Sequence, residues 1–164
     1  MTISEKNSYQ LLRATQEDIG FFVELRNNEL KELIKSDFEE TRQSDLDQMT
    51  LSFTNYISDG LTNGTMVLVK ATFDKEIVAT GAASIIDFPA TPKNFIGKAA
   101  YIHTMYTIPN HRRKGLAKRI LDELIAWCKE KRLKLIILAA SDEGMKLYGS
   151  KGFKVWNTWM YLEQ

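Results

Sequence analysis

Between Pro109-Asn110 and a run of helical periodicity stand His111-Arg112-Arg113-Lys114-Gly115-Leu116-Ala117. Three consecutive cations and a glycine at the start of a helix make an anion site. The first helical turn leaves backbone N–H groups without intrahelical partners, and the helix dipole places its positive end there. Gly115 allows the backbone to approach a phosphate without a Cβ in the way, and Ala117 is small enough to do nearly the same. Arg112, Arg113, Lys114, Lys118 and Arg119 supply charge for a polyanionic ligand. Two plainer readings fit the same residues. A basic cluster between strand and helix is often solvated surface, and a nucleic-acid patch is conceivable, although aromatic interleaving is missing. A nucleoside-triphosphate loop does not fit, because Lys114 precedes Gly115 and no Gly-Lys-Ser/Thr occurs. A dinucleotide fingerprint is absent as well.

The elements that would carry this loop alternate between strand and helix, which predicts a mixed α/β domain. Tyr9 to Ala14 reads as a strand, with Thr15 and Asp18 as a helix-start signal. Ile19 to Ile34 has helical spacing with a weak point at Asn27-Asn28, and a second helix starts near Ser44 or Asp45 and stops at Asp59-Gly60. Met66 to Phe73 and Ile77 to Ile86 form a hairpin about Asp74-Lys75. A loop over 87–98 leads to a strand from Ala99 to Ile108, on which Tyr101, His103 and Met105 share a face by period-2 alternation. Leu116, Ala117, Ile120, Leu121, Leu124 and Cys128 make one apolar stripe of an amphipathic helix. Leu135 to Ala140 reads as a strand covered on both faces, Ser141 caps a short helix ended by Gly152, and Val155 to Leu162 closes as a strand.

The chain has 164 residues, the size of one domain, and no linker divides 1–164. A net charge of +1 gives no global field for nucleic acid or an acidic membrane. The polar start and the lack of a long apolar run lead to the expectation of a cytoplasmic protein with no membrane partner. The single cysteine, Cys128, excludes an intrachain disulfide and a cysteine-rich metal cage, and no metal is expected.

Arg112-x-x-Gly115-x-Ala117 resembles the R/Q-x-x-G-x-G/A pyrophosphate signature of the GNAT acyltransferases. Met105 to Pro109 is similar to the strand that enters this loop in the family. Leu12-Arg13-Ala14-Thr15-x-x-Asp18 resembles a common opening of its members, and Leu147-Tyr148-x-x-x-Gly152-Phe153 their closing helix. The three motifs occur in family order over nearly the whole chain. The departure is alanine at 117. The resemblance implies a mostly antiparallel sheet, splayed at its centre and flanked by helices. It implies direct acetyl transfer from acetyl-CoA to a primary amine, of a small molecule or a peptide, in a ternary complex. A non-catalytic acyl-CoA-binding module on the same fold is the alternative. No nucleic acid is expected as partner, and homodimers are frequent in the family.

By the same resemblance, Arg112, Arg113, Lys114, Gly115, Leu116, Ala117 and Lys118 match the pyrophosphate loop. Met105 and Thr107 match strand positions whose backbone pairs with the pantetheine arm. Tyr148 matches the tyrosine that protonates the departing thiolate, a role suited to a phenol with a pKa near ~10. Ser141 stands where many members have an asparagine near the cofactor. His103 is the candidate base, since the amine must lose a proton before it attacks and an imidazole accepts one at neutral pH. Its position is similar to a histidine of the arylalkylamine N-acetyltransferase branch, and a carboxylate such as Asp87 acting through water is the alternative. His111 reads as a neighbour of the ligand or an exposed residue. Cys128 falls on an apolar stripe, which argues against an acyl-cysteine. Trp156, Trp159 and Tyr161 read as packing residues, as do Phe21, Phe22 and Phe38.

Overall fold

The computed structural model describes residues 8–156, 160 and 162. Its sheet has the order β1-β2-β3-β4-β5, built from Gln10–Arg13, Met66–Phe73, Glu76–Asp87, Lys98–Thr107 and Ile136–Leu138. β1 to β4 are antiparallel neighbours, and β5 runs parallel to β4. The β2–β3 hairpin turns through Asp74 and Lys75, both at positive φ (50° and 71°), the backbone that matches the twist of flanking strands in a two-residue turn.

Helices cover both faces. α4 (Leu116–Glu130) lies on one face and buries Leu116, Ile120, Leu121, Leu124, Trp127 and Cys128 against Val67, Val69, Ala79 and Ala83. Each large side chain so buried contributes roughly 1.5–3 kcal/mol. α1 (Ile19–Leu33) and α3 (Gln43–Thr62) cover the other face, where Ile19, Phe22 and Ile57 pack on Met66, Leu68 and Ala82. Asp18 ties the start of α1 to the sheet: its carboxylate accepts from Thr15 N–H (2.9 Å) and from Lys70 Nζ (2.6 Å). α5 (Asp142–Ser150) ends as expected, with Gly152 at φ 90° and Phe153 N–H returned to Tyr148 O at 3.2 Å.

Several expectations are corrected. α1 runs unbroken through Asn27-Asn28; the break falls at Ile34 (φ −134°, ψ 53°), after which a separate helix α2 covers Lys35–Glu40. β5 has three residues, all half-buried, so it is not the fully covered strand predicted over 135–140. Of the predicted closing strand, Val155, Trp156, Met160 and Leu162 have no regular structure. Asn157, Thr158, Trp159 and Tyr161 lie outside the described residues.

Two features of β4 prepare a site. First, β5 pairs only with Ala100, Tyr101 and Ile102. From His103 onward that edge of β4 has no strand partner among the described residues, and the sheet opens there. Second, β4 carries a bulge. Thr80 faces Tyr106 but Ala82 faces His103, so β4 holds one extra residue, and Thr104 absorbs it at φ 54°. The Thr80 hydroxyl donates to Thr104 O at 3.3 Å. The extra residue reverses the alternation. His103 lies with Ala82 on the α1/α3 face, whereas Met105 packs into the α4 face. The predicted shared face of Tyr101, His103 and Met105 is therefore split.

Candidate active site

The loop from β4 to α4 is built on two left-handed residues, Arg113 (φ 62°) and Gly115 (φ 77°). Gly115 is the N-cap of α4 and delivers the chain into the helix with its first amides aimed outward. No atom lies within 4 Å of where a Gly115 Cβ would stand, so its backbone conformation is what calls for glycine here. Arg112 is held inward. Its Nε donates to Thr107 O at 2.8 Å, its Nη2 donates to Glu32 Oε2 at 2.5 Å, and its guanidinium lies 5.5 Å from the Tyr106 ring centroid. Glu32 Oε1 in turn accepts from Tyr106 OH at 2.5 Å. Burial and this carboxylate push the Tyr106 phenol up to about 12.

A cleft of about 380 Å³ lies between α1, the open half of β4, the loop and α5. Of the residues singled out in the sequence, Met105, Thr107, His111, Arg112, Arg113, Gly115, Leu116, Ala117, Lys118, Ser141 and Tyr148 border it. Lys114 and His103 do not. Ser141 uses its hydroxyl to cap α5, accepting from Gly144 N–H at 3.2 Å. Gly144 makes room for the Tyr148 ring, whose Cε2 would stand 2.7 Å from a Cβ there. Tyr148 is buried, and Phe153 meets its ring edge-on at 5.9 Å. Burial, and then the negative charge of Glu29, push its phenol up to about 12. His111 Nδ1 is 3.0 Å from Tyr9 OH, and both rings contact Phe73.

His103 sits outside the cleft lining. Its Nε2 is 2.7 Å from Ser84 Oγ and its Nδ1 2.8 Å from Thr104 Oγ1, while Tyr56 OH donates to Ser84 Oγ at 2.6 Å. Tyr101 stacks on it at 5.5 Å. Burial, helped by the Arg26 charge, lowers its pKa to about 4, so the imidazole is neutral at physiological pH. Asp87 lies at the far end of β3, exposed and ion-paired with Lys98. Cys128 is fully buried, and burial pushes its thiol up to about 11, away from nucleophilic use. Trp156 packs near Phe88 (6.4 Å), and Phe22 is core, while Phe21 is exposed.

The sequence did not single out Glu29 and Glu32, which stand on the α1 wall of the cleft beside Leu33 and Tyr106. A signal existed. Phe22, Leu25, Glu29 and Leu33 follow helical spacing, and Glu29 puts a carboxylate in that stripe. Its side chain is 13% exposed, and burial raises its pKa above the ordinary 4.5 against the pull of Arg26, whose Nη1 donates to Glu29 Oε2 at 2.8 Å.

The profile of the acetyltransferase (GNAT) family matches residues 27–153. The chain is similar to a predicted acetyltransferase from Clostridium acetobutylicum, solved with acetyl-CoA, with 31% identity over 95% of this chain and 96% of that one and a TM-score of 0.83. It shares its fold with a GCN5-related N-acetyltransferase from Ralstonia eutropha (18% identity, 95% and 99% covered, TM-score 0.80). A glucosamine-6-phosphate N-acetyltransferase from Arabidopsis thaliana also has this fold (19% identity, 95% and 98% covered, TM-score 0.68).

Proposed function

Because this chain belongs to the GNAT acetyltransferase family, we propose that it is a single-domain N-acetyltransferase moving an acetyl group directly from acetyl-CoA to a primary amine, of a small molecule or a peptide, in one ternary complex. The observation that carries this reading is one cleft that joins an unpaired strand edge, a basic helix N-terminus and a buried tyrosine. The fit to acetyl-CoA is chemical. The pantetheine arm is a chain of amides, and the edge of β4 at Met105 to Thr107 offers backbone donors and acceptors to match. The pyrophosphate is a dianion, and the loop amides that enter α4, with Arg113 and Lys118, offer N–H groups and positive charge. Arg112 contributes to the shape of the loop through its bonds to Thr107 and Glu32. Ser141 borders the same cleft from α5.

In the reaction the amine nitrogen attacks the thioester carbonyl, the new C–N bond forms, and the C–S bond breaks. The thiolate that leaves takes a proton from the Tyr148 hydroxyl. A phenol at about 12 keeps its proton at neutral pH and releases it only as negative charge develops on sulfur. His103 is the base derived from the sequence. Its ring nitrogens are engaged by the hydroxyls of Ser84 and Thr104, and neither Ser84 nor Tyr56 borders the cleft, so it would draw the proton only through water. No helix among the described residues is long and apolar enough to cross a membrane, and action in the cytoplasm, with no nucleic-acid partner, belongs to the same reading. The test is a screen for free thiol released from acetyl-CoA over a panel of primary amines. Thiol release with a matching acetylated product supports the reading. Binding of acetyl-CoA without thiol release from any amine would leave an acyl-CoA-binding module instead.

A further inference from the structure

The α1 wall of the cleft holds two carboxylates, and they differ in what occupies their oxygens. Both oxygens of Glu32 are taken, one by Tyr106 OH and one by Arg112 Nη2. Glu29 has only Oε2 engaged, by Arg26. Glu29 lines the cleft that Tyr148 and Met105 also border, and among the described residues its Oε1 has no hydrogen-bond partner. A carboxylate 87% removed from water at the side chain (13% exposed) is costly unless a cation or donor satisfies it. Arg26 gives one such contact, but that guanidinium is itself 30% exposed and leans over the Phe53 ring at 6.0 Å. A second partner for Glu29 is therefore favoured, and the cleft it lines gives a cationic ligand access to it. The opposite wall, with Arg113 and Lys118, is cationic and suits the phosphates, so the two substrates of the proposed reaction have oppositely charged walls to bind.

We propose that the Glu29 carboxylate receives the ammonium group of the acceptor and takes the proton the amine must lose, so that the acceptor is a cationic primary amine seated against α1. This rests on the acetyltransferase reading. The step balances. R–NH3+ passes one proton to Glu29 Oε1 and becomes R–NH2, and the nitrogen lone pair forms the C–N bond. The C–S electrons leave with sulfur, and Tyr148 protonates it. The second proton of that nitrogen leaves as the C–S bond breaks and passes through water to the Tyr148 oxygen, and solvent later receives the Glu29 proton. The same conclusion explains why a carboxylate interrupts the stripe of Phe22, Leu25 and Leu33. The charged and titratable groups that act on it are Arg26 and Glu32 on α1 and Tyr148 on α5, and Tyr106, His111, Arg112, Arg113, Lys118 and Glu143 line the same cleft.

The experiment compares Glu29→Gln, Glu29→Asp and His103→Ala in the full chain. Calorimetry reads the affinity for acetyl-CoA, and for the thiol-releasing amine and a neutral alcohol of the same shape in the presence of coenzyme A. Kinetics read kcat/KM against pH. Glu29→Gln should bind acetyl-CoA as wild type does, which also establishes that it folds. It should lose ten-fold or more in amine affinity but not in alcohol affinity, and its kcat/KM at pH 7 should fall ~10²–10³-fold, with recovery as pH rises and free amine accumulates. Glu29→Asp should keep part of the amine affinity. If Glu29→Gln keeps the wild-type amine affinity and acidic limb, or if His103→Ala alone removes that limb, the proposal is overturned while the transferase reading stands. If coenzyme A-bound wild type binds amines through Glu29 but acetyl-CoA releases no thiol with any of them, the transferase reading fails and the amine site remains. In that case the amine with the strongest calorimetric signal serves as probe, and the absence of amine binding by wild type overturns the proposal.

Discussion

Arg112 and Glu32, which both line the cleft, form an ion pair, Nη2 to Oε2 at 2.5 Å, that ties the loop before α4 to α1. The pair explains why the arginine of the signature points back toward β4. Its side chain spans Thr107 O, the Tyr106 ring and Glu32, so it shapes the turn that leads into α4.

Replacing Glu32 with Gln releases that guanidinium and removes a negative charge from beside an anion site. Acetyl-CoA should bind severalfold more tightly at low salt, and the gain should shrink as salt screens it. Stability should change by no more than about 1 kcal/mol, since both partners are more than a third exposed. Calorimetry at two ionic strengths with a thermal melt checks this. Weaker binding in Glu32→Gln would mean that the pair preorganises the loop more than it competes with phosphate.

Gly81 lies opposite the bulge, and a Cβ there would collide with Ile120 Cγ2 and stand 2.7 Å from Met105 Sδ. Gly81→Ala must therefore push α4 off the sheet or displace Met105 from the strand edge. Overpacking of this kind costs about 1–3 kcal/mol. A denaturant melt should show that loss, and acetyl-CoA affinity should fall with it, because Met105 borders the cleft. An unchanged midpoint would show that Met105 moves aside freely.

The difference between what the chain announced and what it concealed is physical. The hairpin about Asp74-Lys75, the stripe of α4 and the Gly115 turn rest on local propensity and periodicity, so they are legible. The bulge at Thr104 is not, since threonine disfavours φ 54° and only the surrounding sheet imposes it. That single extra residue moves Met105 to the other face from His103 and takes the histidine out of the cleft lining. Trp127 joins the buried stripe of α4 at i+3 from Leu124 and i+7 from Ile120, a helical spacing the sequence itself carries. β5 ends at Leu138, where its pairing with β4 stops at Ile102, a tertiary limit that the apolar run beyond it does not reveal. Glu29 was hidden by its charge: a carboxylate in a helix is ordinarily assigned to solvent.

Tyr148→Phe separates binding from proton donation. The ring packs on Gly144 and Phe153, and those contacts survive loss of the hydroxyl. Acetyl-CoA affinity should stay within twofold, whereas kcat should fall ~10²-fold or more. With its phenol at about 12, Tyr148 remains protonated up to about pH 11, so the wild-type kcat profile should have no alkaline fall from this group over the assay range. Equal kcat in wild type and variant would place the proton donor elsewhere.

His103 yields a prediction about stability that is independent of catalysis. Its folded pKa is about 4, below the unfolded value of 6.5, because burial and the Arg26 charge penalise the imidazolium. Between those values the unfolded chain binds the extra proton, so stability rises with pH there. The contribution is complete above pH 6.5 and is lost as pH falls toward and through 4. The full shift corresponds to about 3 kcal/mol, at 1.36 kcal/mol per pKa unit. Other groups titrate in the same window, so the informative quantity is a difference between variants. Denaturant melts at pH 7 and pH 4.5 should show wild type losing about 2 kcal/mol more than His103→Gln on acidification. His103→Gln should itself be less stable at pH 7, since Ser84 and Thr104 lose their ring partner. Parallel losses in the two proteins would mean that the imidazole is hydrated in solution and titrates near its ordinary value.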